Sequence, residues 1–322
     1  MVTIALACNA MATRFELVLH GENESFLRAV GEEALAEVQR IENQLSLFRP
    51  GSEIAQVNAR AAHEPVQVSP EVFALLQHAN QLSIETAGAF DITIAPLVRC
   101  WGFLDNDGRV PSDEEIAAAR AVVGMDKVGL NAQERTVRFA RPGVMLDLGA
   151  IGKGYALERG EEILRSAGVA SALFHGGTSS VCAIGHPPEA EHWRVALPSL
   201  LNRYQGVAIS DKSQLSQTPT SLLLRDEALS VSAIWGRSFN IAEKSFGHVI
   251  DSRSGQPVNR ALLSAVILRS ATETDALSTA LLVAGSAEHA RINQLRPRMR
   301  TLLVGADGVL EMLPEEYRET EA

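Results

Sequence analysis

The sequence predicts an α+β fold, with mixed sheets and packed helices. Three observations carry this expectation. Apolar residues recur at helical spacing in several separate segments. Short alternating runs between them read as strands. Those strands are joined largely by turns, so a regular βαβ array is not expected. The chain has 322 residues, 46% hydrophobic and 21% charged, which suits a globular protein with a sizeable core.

Residues 13–20 alternate as a strand, closed by Gly21. Over residues 25–45, Phe26, Val30, Ala34, Leu35, Val38, Ile41 and Leu45 share one helical face, with charges on the other. Residues 46–58 read as a loop holding a short helix after Ser52. Ser69-Pro70-Glu71 supplies an N-cap, a proline at the first helical position and an acid in the first turn, so a helix runs from there to about Ala87. Gly88 to Thr93 is a loop leading into an apolar segment that ends at Trp101-Gly102-Phe103, whose rings belong in the core. Ser112-Asp113-Glu114-Glu115 starts a helix through Val123. Strands are expected at 127–130, 136–139 and 144–148, and a helix at 155–167.

Further strands fall at 172–174, 181–184, 193–197, 228–232, 238–241 and 264–268, with a strand end at 247–251. A helix covers 272–283. Residues 301–311 form a hairpin with Asp307-Gly308 at its turn. Residues 199–226 are rich in Ser, Gln and Thr and read as a polar loop or insertion; residues 315–322 read as a frayed, charged tail.

Net charge is −10, no long basic run exists and aromatic content is 5%, so a nucleic-acid binder is not expected. Cys8, Cys100 and Cys182 are odd in number and widely spaced, which gives neither a metal signature nor a disulfide framework; each is expected as a small buried side chain. No apolar run reaches transmembrane length. Residues 1–8 are apolar but lack a basic flank, so the chain as given is expected in the cytoplasm, or in the periplasm if an export segment was trimmed.

Asp147-Leu148-Gly149-Ala150-Ile151-Gly152-Lys153-Gly154-Tyr155-Ala156 is the most informative stretch. A strand, a glycine-rich turn and a helix start make a site for anionic oxygens. The stretch meets neither G-x-x-x-x-G-K-[ST] nor G-x-G-x-x-G, so it is not one of the two common phosphate loops. Asp275 and Thr279 lie four apart on the helix at 272–283 and share a face. A carboxylate and a hydroxyl there suit a hard cation, and a carboxylate complementing the helix dipole explains them equally. His248, at a strand end, is a candidate for proton transfer or a plain polar residue. Asp91 grips a ligand hydroxyl or caps the next segment. His20, His63, His78, His186, His192 and His289 have no convergent neighbours and read as surface residues.

The order of these motifs resembles the ApbE family, the FAD:protein FMN transferases. Ala10-Met11-Ala12-Thr13 is similar to the family's opening M-G-T. Residues 45–54 with Asn58, the segment from Gly88-Ala89-Phe90-Asp91-Ile92-Thr93 to Trp101-Gly102-Phe103, and residues 147–156 match in sequence order. So do Gly176-Gly177, His248-Val249-Ile250-Asp251 with Gly255 and Pro257, and residues 274–280. The resemblance implies a single ApbE-like domain over 1–322, or two intimately joined subdomains. It implies Mg²⁺-dependent transfer of FMN from FAD to a Thr or Ser hydroxyl of an acceptor protein, with release of AMP. Two alternatives stay open: FAD hydrolysis to FMN and AMP, and a flavin-binding paralogue that leaves FAD intact.

By motif position, Gly152 (through its carbonyl), Asp275 and Thr279 would ligate the metal. His248 would be the catalytic residue. Met11, Phe48, Ala89, Phe90, Asp91 and Tyr155 would line the FAD pocket, and Lys153 would meet phosphate. The chain departs from the family pattern at Thr178, where Asp is usual, at Ser252 (Pro), Ala12 (Gly), Ala233 (Gly) and Glu158 (Asp).

Overall fold

A computed structural model describes residues 1–104, 107–197, 221–241 and 244–314. The α+β expectation holds. The chain divides into two compact units: residues 1–41, 151–232 and 260–322, and residues 42–150 with 233–259.

The first unit is built on an eight-stranded sheet. Its strands are β1 (Val2–Ala10), β2 (Thr13–Gly21), β3 (Ala172–Gly176), β4 (Ser180–Ile184), β5 (Ala228–Ala233), β6 (Ala261–Leu268), β7 (Arg300–Gly305) and β8 (Leu310–Leu313), and they lie side by side in chain order. The pairs β1–β2, β2–β3, β3–β4, β4–β5, β6–β7 and β7–β8 are antiparallel. Sequence reading assigned no strand to residues 2–10. They pair along their whole length with β2, from Val2–Gly21 to Ala10–Thr13. Met11 and Ala12 close this hairpin at φ 51° and 57°, as a two-residue turn matched to strand twist requires.

Among the described residues, the first unit's segments hold α1 (Glu24–Leu45, of which residues 24–41 lie in this unit), α2 (Gly152–Ser166), α3 (Ala271–Ala284) and a short helix at His289–Asn293. The apolar stripe predicted for α1 is buried at Val30, Ala34, Leu35, Val38 and Ile41, while Phe26 is exposed. α3 is buried on all sides, from Ala271 and Thr272 through Leu281 to Ala284, and Ser270 caps it by accepting from the Glu273 amide at 3.2 Å. A helix that is apolar all round has to sit inside a core, and its few polar groups then need partners.

The second unit holds helices at Glu53–Arg60, Pro70–Glu85, Ala95–Cys100 and Asp113–Arg120. Ser52, Ser69 and Ser112 cap three of them, and Ser112 with Glu115 forms a full capping box. Its core gathers Leu97, Trp101, Phe103, Ile116, Val123 and Ile250. Trp101 Nε1 donates to the Gly255 carbonyl at 2.9 Å.

Several expectations need correction. Residues 144–148 are not a strand. Their backbone groups are taken by a side chain and a loop instead. Asn58 clamps Leu146 at both N–H and C=O (2.7 and 2.9 Å), and the Asp147 amide donates to the Ile92 carbonyl at 2.7 Å. Leu146 is fully buried nonetheless, so the apolar run that suggested a strand is a core plug without a ladder. The polar stretch begun at 199 does not extend to 226: Ser221–Leu224 is a strand paired with Trp193–Ala196. Residues 198–220 and the tail at 315–322 lie outside the described residues.

His289 is not a surface residue. It is 1% exposed, with Nδ1 2.9 Å from Glu311 Oε2 and Nε2 2.8 Å from Thr301 Oγ1. Of the cysteines only Cys182 is buried; Cys8 and Cys100 are partly exposed. Among the described residues no helix is long and apolar enough to cross a membrane.

Candidate active site

α2 and α3 approach so closely that each caps the other. α2 begins at Gly152 after Ile151, whose side chain offers no cap. The amide of Gly154, in the first turn, donates instead to Asp275 Oδ2 on α3 at 3.0 Å. In return, Glu158 Oε2 on α2 accepts from the Ser270 hydroxyl and the Thr272 amide at the start of α3, both at 2.7 Å. Two helix N-termini thereby gain carboxylates, which satisfies unpaired amides and complements both dipoles. The approach requires glycine at 154: a Cβ there would overlap the Ala271 carbonyl oxygen and come within 2.7 Å of Asp275 Cβ.

Asp275 is only 5% exposed. Its two oxygens differ. Oδ2 is held by the Gly154 amide, whereas Oδ1 has longer contacts, to Ser180 Oγ at 3.4 Å and to Lys153 Nζ at 3.5 Å. Hydroxyls crowd the adjoining turn. Thr279 Oγ1 lies 3.3 Å from the Asp275 carbonyl oxygen and 3.3 Å from Ser232 Oγ, and Ser232 Oγ lies 2.9 Å from Ser278 Oγ. Asp275 and Thr279 thus share a face as their spacing predicts, and Gly152 lies two residues from the amide bound to Asp275. Sequence reading passed over Ser180 and the reciprocal cap. The available signal was the glycine two residues after Gly152 at a helix start, which marks close helix packing as well as ligand approach.

The donor set fits Mg²⁺. Gly152, Asp275 and Thr279 offer only hard oxygens and one carboxylate. Mg²⁺ is commonly held by one or two carboxylates, with waters and substrate phosphates completing its shell. Among the described residues no group of three His, Cys, Asp or Glu side chains is placed to hold a metal ion.

The second unit carries the other sequence-assigned residues. Asp91 closes a tight turn: Oδ1 accepts from the Thr93 amide at 2.8 Å and the Thr93 hydroxyl at 2.6 Å. Thr93 Oγ1 in turn accepts from the Gly124 amide at 2.6 Å. Burial raises the Asp91 pKa, with the Thr93 and Met125 hydrogen bonds opposing it. Ser252, the departure from proline, donates to the Gly88 carbonyl at 2.7 Å and so tethers the loop bearing Ala89, Phe90 and Asp91. Phe90 is 1% exposed and Phe48 68%; the first is a core ring, the second an open one. The His248 ring approaches the Arg237 carbonyl through Nδ1 at 3.2 Å. A carbonyl only accepts, so in this contact Nδ1 is the donor. Met11 and Tyr155, both half-buried, lie in the first unit, at the β1–β2 turn and the first turn of α2.

The fold and the Asp275 constellation define an α+β protein with an oxygen-lined site at a helix start. The ApbE family model matches residues 11–303, and the chain belongs to the ApbE family. The FAD:protein FMN transferase of Vibrio cholerae is 28% identical over 254 residues, covering 77% of this chain and 71% of that relative. That of Rhodobacter capsulatus is 29% identical over 314 residues; the match covers 96% of this chain but 57% of the relative's length. The crystal structure of the ApbE protein from Thermotoga maritima superposes with a TM-score of 0.85 at 26% identity, covering all of both chains.

Proposed function

We propose that this chain is an Mg²⁺-dependent FAD:protein FMN transferase, which moves FMN from FAD to a Thr or Ser hydroxyl of an acceptor protein and releases AMP. The observation that carries the reading is Asp275, with Thr279 one turn along α3, bound to the first turn of α2 two residues after Gly152, in a chain whose relatives bear that name. When bound, Mg²⁺ neutralises charge on the pyrophosphate oxygens.

The chain's own residues would do the rest. Asp275 and Thr279 hold the metal through side chains and Gly152 through its carbonyl. Lys153 meets phosphate charge. Met11, Phe48, Ala89, Phe90, Asp91 and Tyr155 position FAD; the buried Phe90 acts by shaping its loop and not as an exposed platform. As the acceptor oxygen bonds to phosphorus and the P–O bond to AMP breaks, the hydroxyl proton must leave, and Nε2 of His248 is the base we assign to it.

Incubation with FAD, Mg²⁺ and an acceptor domain tests the reading. AMP together with an acceptor heavier by one FMN supports it. AMP with free FMN indicates hydrolysis, and bound intact FAD indicates a binding protein. Exposed Thr178, in the β3–β4 turn where the family pattern has Asp, gives those two outcomes a concrete basis.

A further inference from the structure

We propose that Lys153 is a resident cation at the Asp275 site, which metal binding displaces and nucleotide phosphate then captures. The inference rests on reading Asp275 as the metal carboxylate.

A carboxylate as buried as Asp275 needs compensation for lost hydration. Its Oδ2 has a fixed partner in the Gly154 amide, part of the α2 backbone. Among the described residues its Oδ1 has only the Ser180 hydroxyl at 3.4 Å and the Lys153 ammonium at 3.5 Å. Oδ1 is therefore the oxygen that can change partners without unravelling a helix. The Lys153 side chain retains 23% of its exposure, against 6% for Asp275. It is a long, flexible stem that can swing, while the carboxylate stays where the amide pins it. A cation arriving at Oδ1 meets the ammonium as a competitor of like charge. Once moved, Lys153 remains in the first turn of α2, where phosphate is favoured by both the ammonium and the helix amides. Without nucleotide, Lys153 thus weakens metal binding; with nucleotide, it gains a new partner. Metal and nucleotide then assist each other beyond any direct contact between them, and that assistance is reciprocal.

Calorimetric titration of Mg²⁺, with and without ADP as a pyrophosphate probe, tests this on the wild-type chain, K153Q and D275N. Without nucleotide, K153Q should bind Mg²⁺ about tenfold more tightly than wild type. The factor by which ADP tightens Mg²⁺ binding should shrink about fivefold or more in K153Q. A purely phosphate-binding lysine predicts otherwise: unchanged Mg²⁺ affinity alone and equal weakening of ADP with and without metal. Either finding overturns the proposal.

Should K153Q fold poorly, amine labelling of wild type read by peptide mass spectrometry takes its place. Mg²⁺ should raise the reactivity of Lys153, and Mg²⁺ with ADP should lower it again; indifference to Mg²⁺ overturns the proposal. D275N binding Mg²⁺ as tightly as wild type removes the metal reading and this inference with it. Binding lost in D275N but unchanged in K153Q removes this inference alone.

Discussion

Ala12 holds a left-handed backbone, φ 57°, in the β1–β2 turn, a conformation that glycine adopts without strain. An L-residue there costs on the order of 1 kcal/mol, offset in part by the freedom glycine loses on folding. Ala12→Gly is expected to raise stability by about 0.5 kcal/mol, read as a higher urea midpoint. Gly154 is the opposite case. Gly154→Ala drives a methyl into the Ala271 carbonyl and the Asp275 side chain, so a loss of about 1–3 kcal/mol is expected in the same measurement. Asp91 adds a pH dependence. Its folded pKa is raised, so the protonated form is favoured and the contribution is lost as pH rises through that pKa. Asparagine keeps the acceptor oxygen for Thr93 without the charge. Asp91→Asn should melt higher than wild type at neutral pH, and the gap should close as pH falls to the ordinary carboxylate value of 3.8. A gap independent of pH would refute the assignment.

The reciprocal cap between α2 and α3 sets the geometry of the site at the level of elements. Glu158, one methylene longer than an aspartate, reaches both the Ser270 hydroxyl and the Thr272 amide. Removing it leaves the start of a buried helix short of an acceptor. Glu158→Ala is expected to cost about 1–2 kcal/mol, with Glu158→Gln milder because it still accepts; equal stability of all three proteins would argue against the cap. Local chemistry made the helices legible. Ser69-Pro70-Glu71 and Ser112 with Glu115 carry their caps in adjacent residues, and both helices start where those signals stand. Residues 144–148 and His289 were misread because their partners lie far away in sequence. Asn58 is 88 residues from Leu146, and Glu311 is 22 from His289. Periodicity reports burial; it does not report which distant group takes a backbone amide or a ring nitrogen.

Along the whole chain, among the residues assigned from sequence, Met11, Gly152, Lys153, Tyr155, Asp275 and Thr279 belong to the first unit, and Phe48, Ala89, Phe90, Asp91 and His248 to the second. Asp275→Asn tests the assignment at this scale, because the amide oxygen can still accept from Gly154 while the metal-binding charge is gone. The variant is expected to fold and to lose Mg²⁺-dependent AMP release by about 100-fold or more. Mg²⁺ with ADP should raise the melting temperature of wild type, since a ligand bound only to the native state stabilises it, and should leave Asp275→Asn nearly unmoved. Full turnover in that variant would place the metal elsewhere.

The sequence by itself determined the α+β class, most helix starts, the family, and the pairing of Asp275 with Thr279 on one helical face. Those are consequences of short-range spacing and of motif order along the chain. Only the tertiary structure decided what the decapeptide at 147–156 is. Its first residue is in no strand: the Asp147 amide goes to the Ile92 carbonyl, and Asn58 holds the backbone of Leu146 just before it. Its glycine at 154 serves helix contact, because a carboxylate 121 residues away caps the helix it opens. Its lysine faces that same carboxylate. Such partners are chosen by folding, which brings buried polar groups to whichever distant atoms can satisfy them.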